Sequence, residues 1–203
     1  MATNNCTNAA LYSSLPYCKG KTILPGIRSR LYFIAKRDIV KWPVLPDTAE
    51  SAMGELAAYT GDFTLASDKK WNFIDIVDNK GKIESESQGD KPARTFINKT
   101  SVVHPETDEE ATGFARQANA DDFVYLMQVR NGKFRVIGSE AFPTETKPKQ
   151  DSGEGVTGDF GTTLDIEATD VCPAPYYKGK IVTAEGTIDA ATGEPTEYNL
   201  FRS

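Results

Sequence analysis

From residue 59 onward the chain is a succession of short runs in which apolar and polar positions alternate, the period of a β-strand. Residues 82–88, KIESESQ, are the sharpest case. Ile83, Ser85 and Ser87 fall on one side, and Glu84, Glu86 and Gln88 on the other, so the strand has one strongly polar, acidic face. Residues 162–169, TTLDIEAT, direct Leu164, Ile166 and Ala168 inward. Residues 70–78 are apolar on both faces, which predicts a strand buried on both sides. They follow residues 59–66 across Ser67-Asp68-Lys69, a spacing that predicts a hairpin. Residues 94–104 predict a longer strand, with Phe96 and Val102 opposite Ile97 and Val103. Residues 122–130 and 133–138 flank Asn131-Gly132, the strongest short hairpin signal in the chain. Residues 30–36, RLYFIAK, predict a first strand, and 180–184 with a weak pair of strands reaches the C-terminus.

One segment has the helical period instead. Thr107 and Glu110 make a T-x-x-E capping box, and Ala111, Phe114, Ala115 and Ala118 follow at i, i+3, i+4 and i+7. The spacing predicts a short helix that ends near Asn119 and lies against the outside of a sheet. Residues 1–29 are rich in Asn, Ser, Pro and Gly and predict an extended arm ending in the turn Leu24-Pro25-Gly26. Trp42-Pro43 and Leu45-Pro46 break regular structure, and residues 47–58 read as a loop or a single turn. Residues 143–161, with two prolines and several glycines, predict a long flexible loop. The sum is a mainly β protein: one β-sandwich or barrel domain over 30–203 with one flanking α-helix, an N-terminal arm over 1–29 and a long loop over 143–161.

Composition changes this picture in two places. The 203 residues suit one domain. The net charge of −6 is unevenly spread: residues 1–45 hold seven cations, Lys19, Lys21, Arg28, Arg30, Lys36, Arg37 and Lys41, against Asp38 alone. A basic arm on an acidic body has three readings: a solvated loop, an arm that docks on the acidic body of a neighbouring copy, or a nucleic-acid contact. The acidic body works against the last. Cys6, Cys18 and Cys172 are odd in number and show no metal-ligand spacing, so reduced thiols are expected. No run of about 18 apolar residues predicts a membrane helix. The N-terminal segment lacks the basic and apolar regions of a secretory leader.

Catalytic chemistry finds little to work with. His104, the only histidine, directly precedes Pro105 at the end of a strand, the place of a solvated residue rather than a base. There is no phosphate-cradling G-x-x-x-x-G-K-[ST], and Gly153–Gly158 (GEGVTG) does not match a dinucleotide turn. Glu84/Glu86 and Asp121/Asp122 are acidic pairs of the kind that serve glycoside hydrolysis, but no aromatic sugar platform lies near them in sequence. The expectation is a protein that is not an enzyme.

Leu24-Pro25-Gly26-Ile27 leads into Leu31-Tyr32-Phe33-Ile34, then Asp38-Ile39 and Trp42-Pro43; near the other end stands Thr169-Asp170-Val171-Cys172-Pro173-Ala174-Pro175-Tyr176-Tyr177. In these stretches the chain resembles the tail tube proteins of phages that infect Bacteroidetes. The resemblance implies a β-sandwich with one flanking helix. It implies homo-hexameric rings stacked into a hollow tube for viral DNA, with arms and a long loop bridging rings. It brings no catalytic residue, no cofactor and no metal. Its implied partners are further copies of the chain, other tail proteins (sheath, terminator or baseplate) and DNA that passes without specific binding; no membrane is involved. The implied location is the virion tail, assembled in the host bacterial cytoplasm. Within that frame Glu84 and Glu86 are expected to face the lumen. Arg28, Arg30, Leu31 and Trp42 are expected in an inter-subunit arm, the last two as apolar anchors. A capsid-decorating or head–tail joining protein is the structural alternative, and an enzyme or ligand-binding barrel the other.

Overall fold

The computed structural model describes residues 12–155, 158 and 160–198. In chain order the strands are β1 Ile27–Ala35, β2 Ile39–Lys41, β3 Thr64–Leu65, β4 Asn72–Asp75, β5 Lys82–Gln88, β6 Thr95–His104 and β7 Phe123–Val129. They continue as β8 Phe134–Ile137, β9 Thr144–Asp151, β10 Gly161–Asp170, β11 Tyr176–Tyr177, β12 Lys180–Val182, β13 Gly186–Asp189 and β14 Glu194–Tyr198. One α-helix, α1 Glu109–Ala118, joins β6 to β7. With 45% strand and 10% helix, the protein is mainly β and sandwich-like, with one α-helix.

Two antiparallel sheets carry the architecture: a first sheet of order β11-β8-β7-β1-β4, and a second of order β5-β6-β10-β9. Alternation along β1 and β7 sends side chains to both faces of the first sheet. Leu31, Tyr125 and Met127 face the second sheet and meet Val102, Leu164 and Ile166 there. Tyr32, Ile34, Val124 and Leu126 face the opposite way and meet Tyr59, Phe63, Trp71, Tyr177 and Ile181. The first sheet is therefore the middle layer, and its central strands β1 and β7 read as largely apolar runs for that reason; β4, which the sequence predicts to be buried on both sides, is instead the edge strand and leaves Asn72 and Asp75 exposed. The outer cover of the second core comes from residues 42–71 and the small sheet β12-β13-β14.

Several elements follow the local pattern directly. β7 and β8 pair across the Asn131-Gly132 turn, with Tyr125 opposite Ile137 and Gln128 opposite Phe134. Gly132 takes φ +92°, a value open to glycine and strained for other residues. Helix α1 buries Ala111 and Ala118, and Phe114 meets Phe33 edge-on at 4.8 Å. Its cap is Asp108 rather than Thr107: the Asp108 carboxylate accepts the Ala111 N–H at 2.9 Å. Its backbone is extended, as an N-cap requires.

Three further expectations are corrected. Residues 144–151 are strand β9, paired along their whole length with β10, so the long loop shrinks to the short connection after Asp151. TETKPKQD escapes notice because it is an edge strand: Thr144 and Thr146 turn inward where apolar residues are usual, and Pro148 is tolerated because one side of the strand has no partner. Residues 59–66 and 70–78 do not form a hairpin. β3 pairs with β2 and β4 with the edge of β1, because Phe63 is drawn into the second core among Trp42, Trp71 and Tyr177. Finally, regular structure begins at Ile27, already buried, so the arm ends about three residues earlier than predicted. Residues 1–11, including Cys6, and 199–203 lie outside the described residues.

Candidate functional site

The outer face of the second sheet is built by period-two geometry. Its inner positions, Val102, Leu164, Ile166 and Ala168, are buried. The alternate positions face solvent. Glu84, Lys99, Glu167 and Glu145 form one row across all four strands, and Lys82, Ser101, Asp165 and Lys147 form the next. Ion pairs run along and between strands: Lys82–Glu84 at 2.8 Å, Lys147–Glu145 at 3.2 Å, Lys99–Glu167 at 3.7 Å and Lys149–Asp165 at 2.7 Å. The Lys149 ammonium and the Ser101 hydroxyl hold the Asp165 carboxyl below the ordinary carboxylate range. Exposed pairs of this kind each contribute about 0–1 kcal/mol, so they set the character of the face rather than the stability of the fold. Glu84 and Glu86 do share this face, as their spacing predicts. The face as a whole is not uniformly acidic, however: lysines from β5, β6 and β9 are interleaved with the acids.

Among the described residues neither border of this sheet has a strand partner: β5 pairs only with β6, and β9 only with β10, although the Thr144 N–H at the start of β9 donates to the Asp122 carboxylate at 2.8 Å and Thr112 of α1 bonds Gln150. Each presents a row of backbone donors and acceptors, which proteins usually cover or use.

The four residues expected in an inter-subunit arm separate. Arg28 is exposed. Arg30 is engaged within its own chain, bonding Asp75 at 2.8 Å and Glu185 at 2.8 Å while its guanidinium lies 3.8 Å above the Phe73 ring. Leu31 is fully buried in the first core and cannot anchor a neighbour. It belongs to the middle strand of the protein, because the arm ends before it. Trp42 is half-buried and packs edge-on against Phe63 at 5.2 Å. The exposed segment is residues 12–26, which presents Tyr12, Leu15, Tyr17, Ile23 and Leu24 to solvent.

Two buried polar residues escape the sequence pattern. Asn98 is fully buried on β6; its amide oxygen accepts from Ala174 N–H at 2.8 Å and from the Ser85 hydroxyl at 2.6 Å, and its amide donates to Cys172 O at 3.0 Å. It pins the Val171–Pro175 connection to the second sheet. Asp170, at the end of β10, is buried beside it. A period-two pattern marks both as inward-facing, but neither partner nor burial can be read from it.

His104 Nδ1 lies 2.7 Å from the Asp75 carbonyl. Among the described residues no group of three His, Cys, Asp or Glu side chains could hold a metal. Cys18 is exposed and Cys172 buried, both as free thiols. Among the described residues no helix is long and apolar enough to cross a membrane. No protein-family model matches the chain, and neither a curated protein nor a solved structure matches it.

Proposed function

We propose that the chain is a structural virion protein: a self-assembling tail tube subunit whose hexameric rings stack into the channel for viral DNA. The observation that carries this reading is the second sheet, which is covered on one face, polar on the other, and, among the described residues, without a strand partner beyond β5 or beyond β9. Edge-to-edge addition of identical sheets satisfies both borders at once and, if the rotation closes, yields a ring lined by the polar face. The exposed apolar arm supports stacking, because ordering such a segment is repaid by burial on a partner. The resemblance to tail tube proteins supports the same reading, and its residues fall in β1, the turn before it, and the connection that follows β10.

In this assembly Glu84 and Glu86 face the lumen. Interleaved charge serves DNA passage differently from a purely acidic wall: each lysine on the face already has a carboxylate partner, which reduces its grip on phosphate. Other tail proteins meet the tube at its ends.

Negative-stain electron microscopy of the concentrated protein tests the proposal. Tubes of constant width with a regular axial repeat are expected. Discrete rings that never stack would favour a joining or decorating role, and monomers at all concentrations would overturn self-assembly.

A further inference from the structure

A cavity of about 330 Å3 opens where β10 ends, walled by Trp42, Tyr59, Phe142, Glu140, Val171 and Asp170. Asp170 is only 4% exposed. Its Oδ1 accepts from Val171 N–H at 2.6 Å, while its Oδ2 is buried with no hydrogen-bond partner. Burial pushes the carboxyl up to about 6, against the pull of the Val171 and Cys172 N–H groups. The ionisable groups around it are Tyr59, Glu140 and Cys172, with Arg135 beyond Cys172. Arg135 is itself bound to the carbonyls of Ala174 and Pro173. An unpaired buried carboxylate oxygen is expensive to keep. Aromatic walls and two carboxylates are the chemistry of a receptor for an organic cation.

We propose that this cavity receives a lysine ammonium, Lys19 or Lys21, from the N-terminal arm of a second copy of the chain. The inference rests on the reading of the chain as a self-assembling subunit, and it names the joint. Lys19 and Lys21 are the only cations of the exposed 12–26 segment, and neither forms an ion pair among the described residues. Arg28 is held in β1 and cannot travel. Position adds a second argument. The arm leaves the subunit at the Ile27 end of β1. The cavity lies at the Ala35 end, where Lys36 Nζ donates to Phe142 O at 2.9 Å. Nine strand residues separate the two by about 30 Å, so donor and receptor sit at opposite ends of one subunit. That is a head-to-tail arrangement, which propagates as a stack when repeated. Fully extended, the eight residues from Lys19 to Gly26 span about 27 Å, enough to carry the ammonium off its own subunit and into a stacked neighbour. Tyr17 and Ile23 beside the lysines are exposed, as is Val171 at the cavity rim, so apolar contact can accompany the charge.

Cysteine trapping on the full chain tests the joint. Cys18 neighbours Lys19, and Val171 is on the rim. The variant Cys6→Ser/Val171→Cys, oxidised at assembling concentration, is expected to give a disulfide-linked ladder of oligomers on a non-reducing gel. Closure within one chain, or no ladder while microscopy shows normal tubes, overturns the inference and leaves the tube reading standing. No ladder and no tubes overturns both. In parallel, Asp170→Asn and Lys19→Met/Lys21→Met are each expected to raise the concentration needed for assembly on the order of tenfold or more. The combined variant is expected to be no worse than the weaker of the two. Unchanged assembly in the single-site variants, with circular dichroism confirming the fold, would refute the receptor even if tubes form.

Discussion

The two main sheets have similar strand pairing and opposite surroundings. The first is sealed on both faces, with β7 burying Val124, Tyr125, Leu126 and Met127 completely. The second shares its inner face with the first but leaves its outer face open and, among the described residues, has no strand partner at either border. Burial is two-sided in the former and one-sided in the latter: a residue in β7 has packing on two sides, whereas Glu84 in β5 has water on one and an exposed lysine beside it. Large substitutions should therefore be ruinous in the first sheet and nearly silent on the outer face of the second.

The strongest challenge to that division is Leu126→Ala. Leu126 is fully buried in the second core. A loss of about 2–5 kcal/mol is expected by denaturant unfolding, because a cavity remains between packed layers. A loss below about 1 kcal/mol would show that the middle layer is not tightly packed. Asn98→Ala tests whether the second sheet depends on one polar clamp. It leaves the Ala174 N–H, Cys172 carbonyl and Ser85 hydroxyl without their partner, each of the first two worth about 1–3 kcal/mol when buried. A loss of about 2–4 kcal/mol is expected, with earlier proteolysis in the Val171–Pro175 connection.

Asp170→Asn should act in the opposite direction. Asp170 is raised from an ordinary 3.8 to about 6 in the folded subunit. The stability associated with its proton is complete below about pH 4 and is lost as pH rises through about 6. At pH 7.5 the ionised carboxylate therefore weakens the isolated subunit, by up to about 3 kcal/mol. The amide keeps an oxygen for the Val171 N–H and carries no charge. A higher melting temperature at pH 7.5, and little difference from the parent at pH 4, is expected of unassembled protein. Equal melting temperatures at pH 7.5 would mean that burial does not disfavour the ionised acid. The smallest effect belongs to the open face: Glu84→Lys/Glu86→Lys should shift stability by no more than about 0.5 kcal/mol. Under the proposed tube reading, the same pair of substitutions should slow DNA passage in a salt-dependent manner. A large loss of stability would show that the outer face is packed rather than open.

What was legible in the sequence divides along physical lines. The β7–β8 hairpin and α1 could be read because their determinants are local: a turn dipeptide in one and a three- to four-residue spacing in the other, with the cap falling one residue after the Thr107 that the sequence marks. The shared face of Glu84 and Glu86 was equally legible, since it needs only a period of two. The lysines that balance them were not, because Lys99 and Lys147 arrive from β6 and β9 through pairing. β9 itself was hidden by threonines that are polar in composition yet buried in place, where Tyr125 Oη and Thr146 Oγ1 meet at 2.7 Å. Leu31 was misplaced because a few residues decide whether a chain segment belongs to an arm or to a core. Asp170 could be marked as inward-facing, but its solitary oxygen emerges only once Trp42, Tyr59 and Phe142 converge on it from distant stretches.

The pairing of β1 with β7 also sets a timetable. Leu31 lies opposite Met127, nearly a hundred residues later in the chain. At a synthesis rate of about 5–20 residues per second, β1 waits about 5–20 seconds on the ribosome before its partner exists. During that interval an apolar, two-faced strand has no sheet to join. The late return of β10 to β6 adds a second long closure, and topologies of this kind fold slowly. A protein built around such a strand places its heaviest demand on chaperones before the first sheet has closed.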